Sequence, residues 1–145
     1  MPIIFRPWHE HNGHWFWWGL KHCGQKNYNK LFRFTVEYLR DEKQVHNLLY
    51  ALSPSGKPDK IKSEADYLKV SPGKNHVDLY GFDFYGKSSE EALLASRVVV
   101  KLAESHGKIA AMTEGGYQKG INGLSLKDYS YTRDFLGPYK NDPVA

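Results

Sequence analysis

The sequence predicts an α/β fold in which helices cover a parallel sheet. Short, nearly continuous apolar runs recur along the chain, segments with apolar residues at helical spacing lie between them, and the two kinds alternate throughout. Ile3, Ile4 and Phe5 form the first run and lead straight into a polar cluster, so the chain is expected to begin within a strand. In residues 25–43, Tyr28, Leu31, Phe32, Val36 and Leu39 recur at helical spacing with charges on the opposite face, which predicts an amphipathic helix. Residues 45–52, "VHNLLYAL", read as a buried strand closed by the turn Ser53-Pro54-Ser55-Gly56. Residues 63–70 open on a Ser-x-x-Asp cap and stop before Pro72-Gly73, which predicts a short helix. Residues 76–86, rich in Val, Leu, Phe and Tyr, predict a third strand. Residues 88–107 run from the capping box of Ser88 and Glu91 to Gly107, a residue suited to a left-handed helix end. Residues 108–116, "KIAAMTEGG", predict a fourth strand, and a last helix is expected within "LKDYSYTRDFLGPY".

Two architectures fit this order, an open doubly wound sheet or part of a (β/α)8 barrel, and both place chemistry at the carboxyl ends of the strands. The polar residues follow that rule. His9 and Glu10 lie at the end of the first strand, Asp83 and Tyr85 at the end of the third, and Glu114 at the end of the fourth.

Composition narrows the function further. Net charge is +4, but the basic residues are interspersed with 16 acids and form no long run, so no nucleic-acid partner is expected. No apolar stretch is long enough to span a bilayer, so no membrane partner is expected. A single cysteine, Cys23, excludes an internal disulfide. "EGGYQKGING" lacks the G-x-G-x-x-G order, which weakens a nucleotide-binding reading. His9 and His14 are five apart, and Pro7 and Gly13 oppose a helix between them, so the helical H-E-x-x-H metal pattern fails and no metal or cofactor is expected. His46 and His76 sit at strand starts and read as structural.

Glu10 and Glu114 on one rim are the pair that glycoside hydrolysis requires, one carboxyl to protonate the leaving oxygen and one to attack or support the oxocarbenium centre. Sugar rings stack their C–H faces on indole and phenol rings. "RPWHEHNGHWFWWG", residues 6–19, supplies Trp8, Trp15, Trp17 and Trp18 beside Glu10.

That run, followed in order by "HNLLYALSP", "VDLYGFDFYG" and "KIAAMTEGGY", resembles glycoside hydrolase family 26, whose best-known members are endo-β-1,4-mannanases. The resemblance implies a (β/α)8 barrel. It implies Glu10 as the acid/base ending the fourth strand and Glu114 as the nucleophile ending the seventh. Tyr85, ending the sixth strand, is implied as the phenol bonded to that nucleophile, with Asp83 beside it, and His9 and Trp15 as groups lining the subsite of the attacked sugar. On this correspondence residues 1–145 form a partial catalytic domain of about four parallel strands, without the first three βα units and the last strand.

The implied reaction is retaining hydrolysis of internal β-1,4-mannosidic bonds, with β-mannan or a related plant polysaccharide as partner and no cofactor. It calls for a raised Glu10 pKa and an ionised Glu114. Related specificities are a β-glucanase or a β-1,3-xylanase, and the alternative function is a catalytically silent fragment. Weak or no turnover on polymer and self-association through open sheet edges are expected of this length of chain. The N-terminus reads as no signal peptide, while the resemblance implies a secreted, cell-surface or periplasmic full-length enzyme.

Overall fold

The apolar runs form four strands, and the segments between them return the chain to the same end of the sheet each time. The computed structural model describes residues 1–86, 88–117 and 130–142. Strands β1 (Ile3–Phe5), β2 (Leu48–Leu52), β3 (Leu79–Gly86) and β4 (Ile109–Tyr117) pair in parallel in the order β1-β2-β3-β4. Helices α1 (Leu20–Glu37), α2 (Glu64–Lys69) and α3 (Ser89–His106) are the crossovers between them.

The caps of α2 and α3 follow the sequence closely. The Ser63 side chain caps α2 by accepting from the Asp66 amide, Ser88 caps α3 by accepting from the Glu91 amide, and Gly107 ends α3 in the left-handed conformation at φ 62°. Three expected boundaries differ. Helix α1 begins at Leu20 rather than near residue 25, because the preceding loop starts it: the Leu20 amide donates to the His11 carbonyl at 2.7 Å. Gly24, at φ 71°, then allows a kink that conceals the first turn from a periodicity reading. A wider π-helical turn at Tyr38–Glu42 closes the segment. β3 begins at Leu79 because Lys74–His76 form a short 3-10 turn, and β2 begins at Leu48.

The last expected helix is short and irregular among the described residues. Two short turns, Tyr131–Phe135 and Gly137–Asn141, stand there, and Pro138, which has no amide to donate, sits at the start of the second. Residues 126–129 of that expected helix lie outside the described residues.

Strand alternation divides the sheet into two faces. Tyr50 and Leu52 of β2 and Tyr80, Phe82 and Phe84 of β3 point to the helices, where they pack with Tyr28, Phe32 and Val36 of α1, Tyr67 of α2 and Val99 and Leu102 of α3. The other face carries Ile4, Leu49, Ala51, Leu79 and Gly81 along its length and turns polar only at the carboxyl ends of the strands. Among the described residues no helix is long and apolar enough to cross a membrane.

Candidate active site

One residue from each strand end meets on the second face: Arg6 just after β1, Ser53 just after β2, Asp83 on β3 and Glu114 on β4. Alternation alone would put Glu114 on the face of Met112, toward the helices. A bulge prevents this. The β3–β4 register runs Phe82↔Met112 and then Asp83↔Glu114, so Thr113 is an extra residue and Glu114 is turned to the face of Asp83. The Thr113 hydroxyl donates to Asp83 Oδ1 at 2.7 Å, which secures the bulge.

Arg6 joins the two carboxylates. Its Nη1 donates to Asp83 Oδ2 at 2.8 Å, and its Nη2 donates to Glu114 Oε1. Asp83 is fully buried, and Oδ1 also accepts from the Ser53 hydroxyl at 2.6 Å. Burial lifts the Asp83 pKa above its ordinary value, and the bonds from Ser53 and Thr113 and the charge of Arg6 work against that rise. Glu114 sits nearer to solvent. Its partial burial pushes the pKa up, but the Arg6 bond and charge, the Tyr85 bond and nearby His9 outweigh burial and hold the carboxyl below the ordinary range. Tyr85, 40% exposed, donates its phenol to Glu114 Oε2 at 3.2 Å. Burial and the adjacent carboxylate raise the phenol pKa, so it stays a donor. His9 Nε2 lies 3.9 Å from Glu114 Oε1.

Glu10 has a contrasting environment. Its pKa is raised, chiefly by burial and further by the charges of Asp83 and Glu114, against the opposing bond from Trp15 and charge of His9. Trp15 Nε1 donates to Glu10 Oε2 at 2.9 Å, and the indole, 44% exposed, lies over Gly13. A Cβ at Gly13 would stand 2.5 Å from the far end of that ring. Gly13→Ala is therefore expected to displace the exposed indole, break its bond to Glu10 and raise the Glu10 pKa further; a 13C titration of the Glu10 carboxyl that matches wild type would contradict this.

The four Trp of the loop divide by role. Trp8 donates to Thr35 Oγ1 at 3.0 Å and Trp18 to the His9 carbonyl at 2.8 Å, which fixes the loop to α1 and to itself. Trp15 and Trp17 stay exposed. His9, Asp83 and Glu114 bring ligand-type atoms within 4.8 Å of one another. The Arg6 guanidinium bonds both carboxylates and offsets one of their two negative charges, so the cluster already holds a fixed organic cation. His46 is exposed beside Gln44, and His76 pairs with Glu37 at 2.8 Å, both at the opposite end of the sheet.

The expected residues thus converge, with one difference of place: Asp83 lies behind the rim, where it holds Arg6 and meets no solvent. Arg6, Ser53 and Thr113 belong to the same site, and sequence reasoning passed over them. Arg6 had a signal, a cation two residues beyond Ile4 on the same strand face, at the end where a carboxylate must be kept ionised.

The chain matches the model of Glycosyl hydrolase family 26 over residues 1–144. It belongs to that family. The mannan endo-1,4-beta-mannosidase of Bifidobacterium adolescentis is 46% identical over 125 residues, which cover 80% of this chain and 12% of that protein. The mannan endo-1,4-beta-mannosidase of Bacillus subtilis is 36% identical over 147 residues, covering 94% of this chain and 39% of that protein. Among solved structures, GH26C from Muricauda sp. superposes with a TM-score of 0.83 at 36% identity over 99% of this chain and 39% of its own. An endo-beta-1,4-mannanase from Cellulomonas fimi superposes at 0.80 with 38% identity over 99% of this chain and 33% of its own. The chain therefore spans less than half the length of each of these proteins. These likenesses decide between the two architectures left open by the strand order: the four parallel strands are half of a (β/α)8 barrel of the family 26 type.

Proposed function

We propose that this chain supplies the acid/base and the nucleophile of a retaining glycoside hydrolase that cleaves internal β-1,4-mannosidic bonds of mannan. The observation that carries the reading is one rim on which the pKa of Glu10 is raised and that of Glu114 is lowered. Protonated Glu10 gives its proton to the glycosidic oxygen as Glu114 attacks the anomeric carbon. The bond to the leaving sugar breaks and a glycosyl ester on Glu114 forms. Glu10, now ionised, takes a proton from water, which attacks the same carbon and releases Glu114. Tyr85 and Arg6 keep Glu114 ionised beforehand, and His9 and Trp15 line the space where the attacked sugar rests. Asp83 acts on the sugar only through Arg6. Mannan is the proposed substrate because the relatives above carry that activity in their names. A polymer of that kind cannot enter a cell, which supports a secreted, cell-surface or periplasmic setting.

The test is the release of oligosaccharides from β-1,4-mannan, compared with mixed-linkage β-glucan and β-1,3-xylan. The first anomer released is expected to keep the β configuration. Glu114→Ala and Glu10→Ala are each expected to abolish turnover. Azide should restore Glu114→Ala with inverted stereochemistry, because it enters from the face that the carboxylate vacated. It should restore Glu10→Ala only on substrates whose leaving group needs no proton. Equal hydrolysis by wild type and both variants, or an inverted product from wild type, would refute the assignment.

The sheet edge at β1 supports the further proposal of self-association. Ile3 and Ile4 are 47% and 58% exposed on a strand whose outer edge is unpaired among the described residues. Sedimentation velocity at micromolar concentration is expected to show reversible dimers or larger species, and a monomer throughout would contradict it.

A further inference from the structure

The loop that carries Glu10 is held in place by its neighbours against its own backbone preference. Trp8 and Glu10 stand at φ 54° and 52°, on either side of His9. Residues with a Cβ rarely adopt this conformation, and it persists only where surrounding contacts over-determine it. Helix α1 holds the Trp8 side of the loop through the Trp8 Nε1–Thr35 Oγ1 bond, and the segment after β2 holds the Glu10 side. The Glu10 amide donates to the Ser53 carbonyl at 2.7 Å. Two residues further on, the Asn12 side chain grips Ser55 twice: the Ser55 amide donates to Asn12 Oδ1 at 2.7 Å, and Asn12 Nδ2 donates to the Ser55 carbonyl at 2.9 Å.

Ser55 in turn is bridged in parallel to Asp83. The Asp83 amide donates to the Pro54 carbonyl at 3.0 Å, and the Gly56 amide donates to the Asp83 carbonyl at 2.8 Å. The Asn12 carboxamide is thus one more rung beside the sheet. It ties the Glu10 loop to the residue that holds Arg6, and through Arg6 to Glu114.

We propose that Asn12 is a positioning residue whose two-bond clamp on Ser55 sets where the Glu10 carboxyl stands relative to Glu114. The inference rests on Glu10 and Glu114 as the working pair, but its test reads placement without any glycan. Asn12→Leu removes both bonds at similar volume. Asn12→Ala removes them without added bulk and provides the reading if Asn12→Leu does not fold.

Two signals are followed in the 15N-labelled chain. One is solvent exchange of the Glu10 amide. The other is the pH titration of the Trp15 indole Nε1–H, which faces Glu10 Oε2; Glu10→Gln identifies the step that belongs to Glu10. With the clamp removed, the Glu10 amide is expected to exchange about 30-fold faster, as two lost hydrogen bonds would allow. The Glu10 step should move toward the ordinary carboxylic range as its side chain meets water, while amides of the β3–β4 ladder keep their wild-type exchange.

Unchanged Glu10 exchange with an unmoved Glu10 step in a folded variant overturns the proposal. Equal acceleration at Glu10 and throughout the β3–β4 ladder also overturns it, because Asn12 would then serve global stability alone. Failure to cleave mannan, by contrast, would refute the hydrolase reading and leave the placement result standing.

Discussion

Arg6→Met is expected to lower stability by about 3–5 kcal/mol, the usual cost of breaking a buried ion pair by removing one partner, and to remove turnover along with it. Asp83 has no exposed surface, and with Arg6 gone only the hydroxyls of Ser53 and Thr113 would face its charge. Asp83 and Glu114 are also direct register partners, so two carboxylates would stand side by side with no cation between them. Burial already lifts the Asp83 pKa, so the like-charge pair is relieved first by protonating Asp83, while loss of the Arg6 bond and charge carries the Glu114 pKa upward out of its low range. Glu114, the proposed nucleophile, would then be protonated up to higher pH, and the acid limb of any activity profile should shift the same way. Arg6→Lys keeps a charge but loses the planar fork that reaches both carboxylates at once, so it should fall between wild type and Arg6→Met. Denaturant unfolding measures the first effect and a 13C titration of Glu114 the second. Adding Asp83→Asn to Arg6→Met should recover part of the lost stability, since the unpaired buried charge is then gone. A wild-type unfolding midpoint and an unmoved Glu114 in Arg6→Met would show that the guanidinium carries no such load.

The parts of the fold legible in the sequence were those set by local chemistry. Ser63 and Ser88 each sit three residues before an acid, Gly107 ends a periodic apolar run, and the structure uses all three as caps. The parallel order followed from apolar strands separated by amphipathic helices. Hidden features depended on contacts between distant residues. The bulge at Thr113 has no local signature: the strand rule placed Glu114 at the strand end, but a period-two reading would have turned it toward Met112. The burial of Asp83 and its bonds to Ser53 and Thr113 span some 30 residues of sequence in each direction, so Asp83 reads from sequence as a rim residue when it lies behind the rim. The kink at Gly24 hid the first turn of α1 because four residues show no periodicity.

His11 offers the second large effect, in the dependence of stability on pH. Its ring is fully buried and stacked face to face on Tyr28, with centroids 3.7 Å apart and planes 4° from parallel. Nε2 lies 2.6 Å from the Val70 carbonyl and so carries the proton of the neutral ring, while Nδ1 is buried without a hydrogen-bond partner among the described residues. Burial drives the pKa from 6.5 down to about 3, against the opposing pull of the Val70 carbonyl. The unfolded chain therefore takes up a proton near pH 6.5 that the folded chain refuses until about pH 3. The resulting stability is present in full above 6.5 and drains away as pH falls between those values. Each tenfold difference in proton affinity is worth about 1.4 kcal/mol, so the whole excursion is worth about 5 kcal/mol. His11→Phe keeps the stack on Tyr28 but loses the bond to Val70, at a cost of about 1–3 kcal/mol near neutrality. Its stability should not respond to this proton, so the wild-type and variant curves should converge below pH 6.5 and cross near pH 5, by the same arithmetic. Carboxylates that titrate lower, Glu114 and Asp66 among them, act equally on both proteins, and the difference between the curves isolates His11. Urea unfolding at half-unit steps from pH 7.5 to 4 measures that difference, and parallel curves across the range would mean that the folded chain accepts the His11 proton as readily as the unfolded one.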